Sequence, residues 1–440
     1  MAESQSAALL GYSSGLAKRA YIPKKYAELI AYHSPFFKAL RESKIKYPGG
    51  GEPAANESSD WTPKVYFSAL VRGAETTKTV LGSGYTNYPD GIQALVKQAS
   101  VPMLFTMGAI AISQAELDLL SKANGDQVFG DILELQKRSN MAAVAADIER
   151  QLFSATLGNV IDIPDGTHID VDCDKYFRRG MKIDTYAGTV QGGDSLTVNA
   201  FGIGVLPRGQ LRLTMSAVTG IAIGDAVYRE DAYGNEGDTL NTIISNTADG
   251  NPIYGGLSAT LYDAWGALVI DAGGATFDPD THMIDPITDL WRFNGGDLTH
   301  LWVDYDLIKK YARNHTMEIR RLMSDGNKLP AIGAVDLGYK ASGLTLTHPM
   351  TGREIKIMCS PAVTKGTIFG INIDEWGIVE TKEMTWAEGT NGIWTPHIIY
   401  DSTTSTVQRM TAWDANPVYR WVPVCIARGH TLKVKNVSFV

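Results

Sequence analysis

Two adjoining segments constrain this chain more than anything else in it. From Trp61 to Ile112 it reads as two β-type legs around a Gly-rich tip, and it then runs straight into a helical stretch from Ser113 to Ala155. The first leg, Trp61-Thr-Pro-Lys-Val-Tyr-Phe-Ser-Ala-Leu-Val, is rich in β-branched and aromatic residues. The tip contains Gly82, Ser83, Gly84 and Tyr85, and the second leg ends in Val101-Pro-Met-Leu-Phe-Thr-Met-Gly-Ala-Ile-Ala-Ile. Legs of about 20 residues reach roughly 60 Å at about 3.3 Å per residue, more than a small domain's core needs. An arm of that size needs a surface to rest on, and a neighbouring copy of the same chain supplies one. Gly82, Ser83, Gly84 and Tyr85 are therefore the candidate intersubunit contact, and assembly rather than catalysis is the first expectation.

A length of 440 residues allows two or three domains with filled cores, and 44% apolar with 20% charged residues fits a folded chain. The longest apolar runs are interrupted by Gly, Pro or Thr, so no transmembrane helix and no membrane partner are expected. The first ten residues lack a basic segment followed by an apolar one, so synthesis in a cytoplasm is expected. Cys173, Cys359 and Cys425 are far apart in sequence, which points to buried free thiols rather than a disulfide framework or metal site.

The net charge of −8 is unevenly spread. Residues 1–50 hold eight Lys and Arg against three Glu, leaving +5 there and −13 on the other 390 residues. No strongly basic domain suits sequence-specific nucleic-acid binding. Lys18, Arg19, Lys24 and Lys25 form a candidate basic arm toward phosphate or an acidic neighbour, with a solvated helix surface as the plainer reading.

Along the chain, Lys24 to Tyr32 reads as a short helix opened by Pro23, inside an arm of residues 1–58. Ser113-x-x-Glu116 has capping-box spacing, and Asn124-Gly125-Asp126 punctuates the start of a second helix. Its apolar residues Val128, Ile132, Leu135, Met141, Val144, Ile148, Leu152 and Ala155 recur at mostly three- or four-residue steps, with Asp147 and Glu149 off that stripe. Residues 159–252 change to short alternating segments between glycines, the pattern of a small barrel or sandwich. Beyond Gly256 the pattern predicts an amphipathic helix over 257–271, a loop with Pro279 and Pro286, a strand at Leu301-Trp-Val and a helix over 305–323. Strands are predicted near 343–346, 354–358, 367–371, 378–380, 397–400, 421–427 and 431–437.

Catalytic motifs are missing. There is no phosphate loop, no His-Glu-x-x-His and no Gly-x-Ser-x-Gly, and Gly202-Ile-Gly204 lacks the third glycine of a dinucleotide fingerprint. In a strand, His168, Asp170, Asp172 and Asp174 share one face, which raises a divalent cation as an idea, but a solvated strand face fits as well and the calcium-loop spacing fails. Asp278, Asp280 and His282 read as a polar loop. Lys309, Lys310, Arg313, Arg320 and Arg321 lie opposite an apolar stripe and read as a solvated helix face. The nine tryptophans read as core or interface anchors. No enzyme and no cofactor are expected.

In order, these segments resemble the major capsid proteins of tailed bacteriophages with the Hong Kong 97-type fold, an α+β architecture. The resemblance is carried by the arm, the two-legged loop and the long helix, and by local texture further on. That texture is Leu301-Trp-Val-Asp-Tyr-Asp-Leu-Ile-Lys-Lys-Tyr, His348-Pro-Met-Thr-Gly-Arg-Glu-Ile-Lys-Ile, Ser360-Pro-Ala-Val-Thr-Lys-Gly-Thr-Ile-Phe-Gly and Trp421-Val-Pro-Val-Cys-Ile-Ala-Arg-Gly. It implies an N-terminal arm (1–58), an extended hairpin loop (59–112), a peripheral domain with a spine helix (113–158), an inserted small β domain (159–252), an axial α/β domain (253–415) and a return to the peripheral domain (416–440). It further implies a shell subunit forming hexamers and pentamers of an icosahedral head, assembled in the host cytoplasm and located in the virion. The implied partners are further copies of the chain, a separate scaffolding protein, a portal, a decoration protein and non-specifically held double-stranded DNA. An encapsulin-like nanocompartment shell and a tail or baseplate component are the alternatives.

Overall fold

The computed structural model describes residues 34–43, 64–72, 93–108, 110–113, 126–173, 175–202, 205–207, 209–311, 344–386, 395–401, 406–415 and 417–438. These residues fall into two compact units. The larger draws on Pro35–Pro102, Glu149–Val379 and Val422–Val440, and the smaller on Met103–Ile148 and Glu380–Trp421.

The larger unit is organised on a six-stranded mixed sheet. Its strand order is Leu268–Asp271, Leu432–Lys435, Ile368–Ile371, His300–Val303, Glu354–Cys359 and Leu344–Thr347. The first pair is parallel, as are His300–Val303 and Glu354–Cys359, and the other neighbours are antiparallel. Leu301-Trp-Val is a continuous apolar run because all three side chains are fully buried. Asp285–Asn294 is a helix with Pro286 in its first turn, where the missing N–H costs nothing, and Gly295 at φ 69° ends it. Ile287 and Leu290 from this helix enter the same core as Leu301, Ile355 and Val434. The loop expected around Pro279 and Pro286 is thus a helix opening.

The amphipathic helix expected over 257–271 is absent. Gly255 and Gly256, at φ 59° and 78°, make the two-residue turn of a tiny hairpin, Ile253–Tyr254 with Leu257–Ser258. The chain then passes through one 3-10 turn, Asp263–Trp265, and Leu268-Val-Ile joins the sheet.

The glycine-punctuated block is a closed barrel. Its order is Ala226–Arg229, Gly158–Asp165, His168–Val171, Leu211–Met215, Val190–Gly202 and Lys182–Ala187, which closes back on the first strand. Inward positions such as Val160, Ile169, Val198, Leu213 and Val227 are buried, so the barrel holds its own core.

Two further helices are described. We label Pro35–Glu42 α1 and Asp126–Phe153 α2. The sequence pattern missed α1, which buries Phe36, Phe37 and Leu40. Phe36 packs on Phe153 and Trp302 at ring separations of 5.0 and 4.9 Å. α2 starts at Asp126 as its punctuation suggests but ends at Phe153, short of Ala155. Beyond its last residue the Arg150 Nη1 donates to the carbonyls of Ser154 and Ala155, at 3.1 and 3.0 Å. Val144, Ile148 and Leu152 are buried as the stripe requires, but Asp147, Glu149 and Arg150 are buried too. The expected off-stripe position of Asp147 and Glu149 does not translate into exposure.

The smaller unit contributes to two three-stranded sheets. One has the order Trp376–Trp386, Pro417–Cys425, Leu104–Met107, and the other Thr395–Asp401, Thr406–Ala415, Ile110–Ser113. The expected second leg therefore divides. Its first part, Leu95–Pro102, pairs with the first leg, whereas Leu104–Met107 and Ile110–Ser113 pair with strands from the end of the chain. Pro102 lacks an N–H to continue the ladder, and the partner changes just after it. Trp421 Nε1 donates to Thr106 Oγ1 at 2.9 Å inside this unit.

In the barrel, Gly192 and Gly220 cross backbone to backbone. A Cβ on Gly220, itself at φ 86°, would stand 2.2 Å from the Gly192 carbonyl oxygen. Gly220→Ala is expected to cost at least about 2 kcal/mol, measured by denaturant unfolding of the purified subunit.

Candidate functional site

The hairpin presents one buried and one exposed face. Lys64–Arg72 and Leu95–Pro102 pair antiparallel from Lys64↔Pro102 to Leu70↔Val96, with a bulge between Leu70 and Arg72. Val65, Phe67, Ala69, Ala99 and Val101 face inward and are buried. On the other face Leu70 and Val96 stand directly opposite one another, 61% and 58% exposed. A cross-strand pair of this kind stabilises a sheet, yet here it leaves two large apolar side chains to water.

The root of the hairpin is held by backbone and by stacked rings. The Ser100 N–H donates to the Gly255 carbonyl at 2.9 Å. Gly255 must be glycine there, since a Cβ would stand 2.9 Å from Ala99 Cβ. Phe67 packs on Tyr254 at 6.2 Å, and Tyr254 stacks on Trp265 at 6.1 Å. Trp265 Nε1 donates to the Tyr254 carbonyl at 3.3 Å. The Tyr254 hydroxyl donates to the Pro423 carbonyl and accepts the Cys425 N–H at 3.1 Å. Complete burial holds this phenol well above its usual range, so it stays a neutral donor. Behind it, the buried Arg428 guanidinium donates to the carbonyls of Ile243, Asn251 and Pro252 at 2.6–2.7 Å, fixing the segment that leads into the Tyr254 turn. The N-terminal strand pair, the central turn and the C-terminal strand thus converge on one ring stack.

A second junction lies at the end of α2. Glu149 accepts three hydrogen bonds: from the Phe36 N–H at 3.2 Å, the Phe37 N–H at 2.7 Å and Ser360 Oγ at 2.6 Å. It ties the first turn of α1 to the residue after strand Glu354–Cys359. Beside it, Arg150 makes a two-pronged pair with Glu236.

The structure places the other sequence candidates that fall on described residues; Arg313, Arg320 and Arg321 lie outside the described residues. Asp170 is paired through both oxygens with Arg212 at 2.7 Å, and Asp172 accepts from the Asn159 N–H and side-chain amide. His168 pairs with Asp165, whose carboxyl is held well below the usual range by hydrogen bonds from Thr167. Asp278 receives Thr281 Oγ1, and His282 is buried with its Nδ1 accepting the Asp278 N–H. Among the described residues no group of His, Cys, Asp and Glu is arranged to hold a metal ion. Lys309 pairs with Asp306 on a helix described over residues 305–311. Trp265, Trp302, Trp376 and Trp421 are fully buried anchors, while Trp291 is partly exposed. Cys359 and Cys425 are buried free thiols, and Cys173 is half-buried. The tip residues Gly82, Ser83, Gly84 and Tyr85, the basic arm residues Lys18, Arg19, Lys24 and Lys25, and Asp174 lie outside the described residues.

No protein-family model matches the chain, and no curated protein matches it. A solved structure titled cyanophage A-1(L) capsid asymmetric unit contains a chain that aligns over 96% of this one and 97% of its own length. The TM-score is 0.51 at 12% identity. The two chains share a fold. Chains from the capsid of Myoviridae phage XM1 and from the capsid of a native GTA particle align over 95% and 96% of this chain, with TM-scores of 0.41 and 0.42 at 10% and 9% identity, and add no weight.

Sequence reasoning found the hairpin but not its root. The local signal for the root was Gly255-Gly256, just before the stretch read as a helix from Leu257. Arg428, which sits in the short 3-10 turn between the last two strands, was not singled out. Tyr254→Phe removes the acceptor of the Cys425 N–H deep in the stack. The expected result is a loss of about 1–3 kcal/mol in thermal or urea unfolding, with faster hydrogen exchange at Ser100.

Proposed function

We propose that this chain is the major capsid protein of a tailed double-stranded DNA bacteriophage, a subunit that self-assembles into the icosahedral head shell. The observation that carries this reading is the fold shared with the cyanophage capsid chain along nearly the full length of both. In this reading the fold is of the Hong Kong 97 type. The hairpin is the base of the extended loop, α2 is the spine helix, the six-stranded sheet belongs to the axial domain, and the barrel is the inserted domain. The partners are further copies in hexamers and pentamers, with packaged DNA held without sequence preference and the scaffolding, portal and decoration proteins of such a head. No helix among the described residues is long and apolar enough to cross a membrane.

The physical support is the mismatch at the hairpin between a firm root and an uncovered outer face. Burying Leu70 and Val96 against a neighbour is worth about 1.5–3 kcal/mol for each side chain fully covered. Repeated over every copy in a closed shell, such a contact favours assembly while costing the free subunit little.

Expression of the chain, followed by electron microscopy of the particles and analysis of their contents, tests the proposal. Closed shells are expected; a monomer that forms no shell under any assembly condition would overturn it. The double variant Leu70→Ser/Val96→Ser is expected to leave subunit stability within about 0.5 kcal/mol, because both positions are exposed, while lowering the yield of closed particles. An unaltered particle yield would remove the hairpin face from the contact.

A further inference from the structure

The turn at the edge of the six-stranded sheet is built around a histidine. Leu344–Thr347 is the edge strand, it pairs antiparallel with Glu354–Cys359 as far as Thr347↔Glu354, and residues 348–353 join the two. Pro349, Met350, Thr351, Gly352 and Arg353 are exposed, whereas His348 is fully buried. The His348 backbone closes the turn: its N–H donates to the Arg353 carbonyl at 2.7 Å, and its carbonyl accepts the Gly352 N–H at 2.9 Å. The ring holds the middle, where Nδ1 accepts the Met350 N–H at 3.1 Å and the Thr351 N–H at 3.2 Å. A backbone amide can only donate. Nδ1 must therefore offer its lone pair, and the single proton of the neutral ring sits on Nε2.

That lone pair is also where a second proton would have to bind. Protonation of Nδ1 and the two turn hydrogen bonds thus exclude one another, whatever the surroundings. Asp297, from the loop after the 285–294 helix, favours a positive ring, but its Oδ2 is engaged by Arg353. Arg353, Glu354 and Lys356, on the turn and the strand that follows, are exposed. Burial outweighs Asp297 and holds the ring below the usual histidine range, in the same direction as the two amides.

We propose that His348 is an acid-sensitive lock on the edge hairpin of the sheet: the neutral ring holds the turn through two amides, and proton uptake at Nδ1 releases them. The proposal does not rest on the shell reading. It is a property of the single subunit.

In the open turn Nδ1 is free, so the open form binds the proton more tightly than the closed one. The lock is at full strength above the ordinary histidine value of 6.5 and weakens as pH falls below it. A single proton shifts the opening equilibrium by at most about tenfold for each pH unit.

Hydrogen exchange of residues 344–359 in the full chain, corrected for the intrinsic pH dependence of exchange, follows this opening. His348→Asn sets an oxygen at the δ position, where it can accept the same two amides, and it does not titrate. In the wild type, protection of the Met350 and Thr351 amides is expected to be level above pH 6.5 and to fall below it, by up to about tenfold per unit. In His348→Asn it is expected to stay level. A level wild-type profile, or a slope that survives in His348→Asn, overturns the lock. Should His348→Asn fail to fold, the nitrogen chemical shifts of the wild-type ring decide the matter. They are expected to place the proton on Nε2 and the titration midpoint below 6.5; a proton on Nδ1, or a midpoint at or above that value, overturns the proposal.

Discussion

The strand Leu432–Lys435 is the constraint on which the larger unit depends. It lies between Leu268–Asp271 and Ile368–Ile371, so the six-stranded sheet cannot close until nearly the whole chain is present. The cost of bringing such distant segments together is entropic and falls due before any contact rewards it. Several polar ties converge on this C-terminal region and offset that cost. Lys433 reaches both Asp249 and the Asn241 carbonyl, and Lys435 reaches the other Asp249 oxygen at 2.7 Å. Arg428 fixes three carbonyls of the segment before the Tyr254 turn. The hairpin root uses the same region through Pro423 and Cys425. The root of the hairpin is thus held in part by the last strands of the chain.

How much of this was legible depended on the range of the interaction. The barrel was legible because its strands are local, alternating and separated by glycines. The strands predicted near 301–303, 354–358 and 431–437 were legible from their apolar and β-branched composition, although their partners were not. Residues 257–271 misled because Leu257, Leu261 and Trp265 fall at helical spacing, while Gly255, Gly256 and the pairing of Leu268–Asp271 with the C-terminal strand override it. The stretch from Leu95 to Ser113 looked like one leg because each part has strand composition. Only the partners differ, and partners brought from the end of the chain leave no mark at the site they join. Pro286 was read as a breaker when its position made it a helix start.

Glu149 lies off the apolar stripe in the sequence and is buried all the same, for a related reason. An apolar stripe predicts which face of a helix is buried against a single layer, and at its C-terminal end α2 is covered from more sides than one. α1 and the Ser360 turn cover Glu149, and Glu236 meets Arg150; none of these neighbours lies near α2 in sequence. The candidate residues at the hairpin tip and in the basic arm were chosen on composition and spacing alone, and they fall outside the described residues.

The buried charges of the larger unit differ in how they are compensated. Arg150 and Lys433 each meet a carboxylate, and Arg428 is enclosed by carbonyl oxygens. Removing any of these side chains would leave a counter-charge or carbonyl acceptors unmatched in the interior. Glu149 meets neutral donors only, the two α1 amides and the Ser360 hydroxyl. Each of these groups joins segments far apart in sequence, so the interior of the larger unit is fixed by polar ties that no single stretch of the chain supplies.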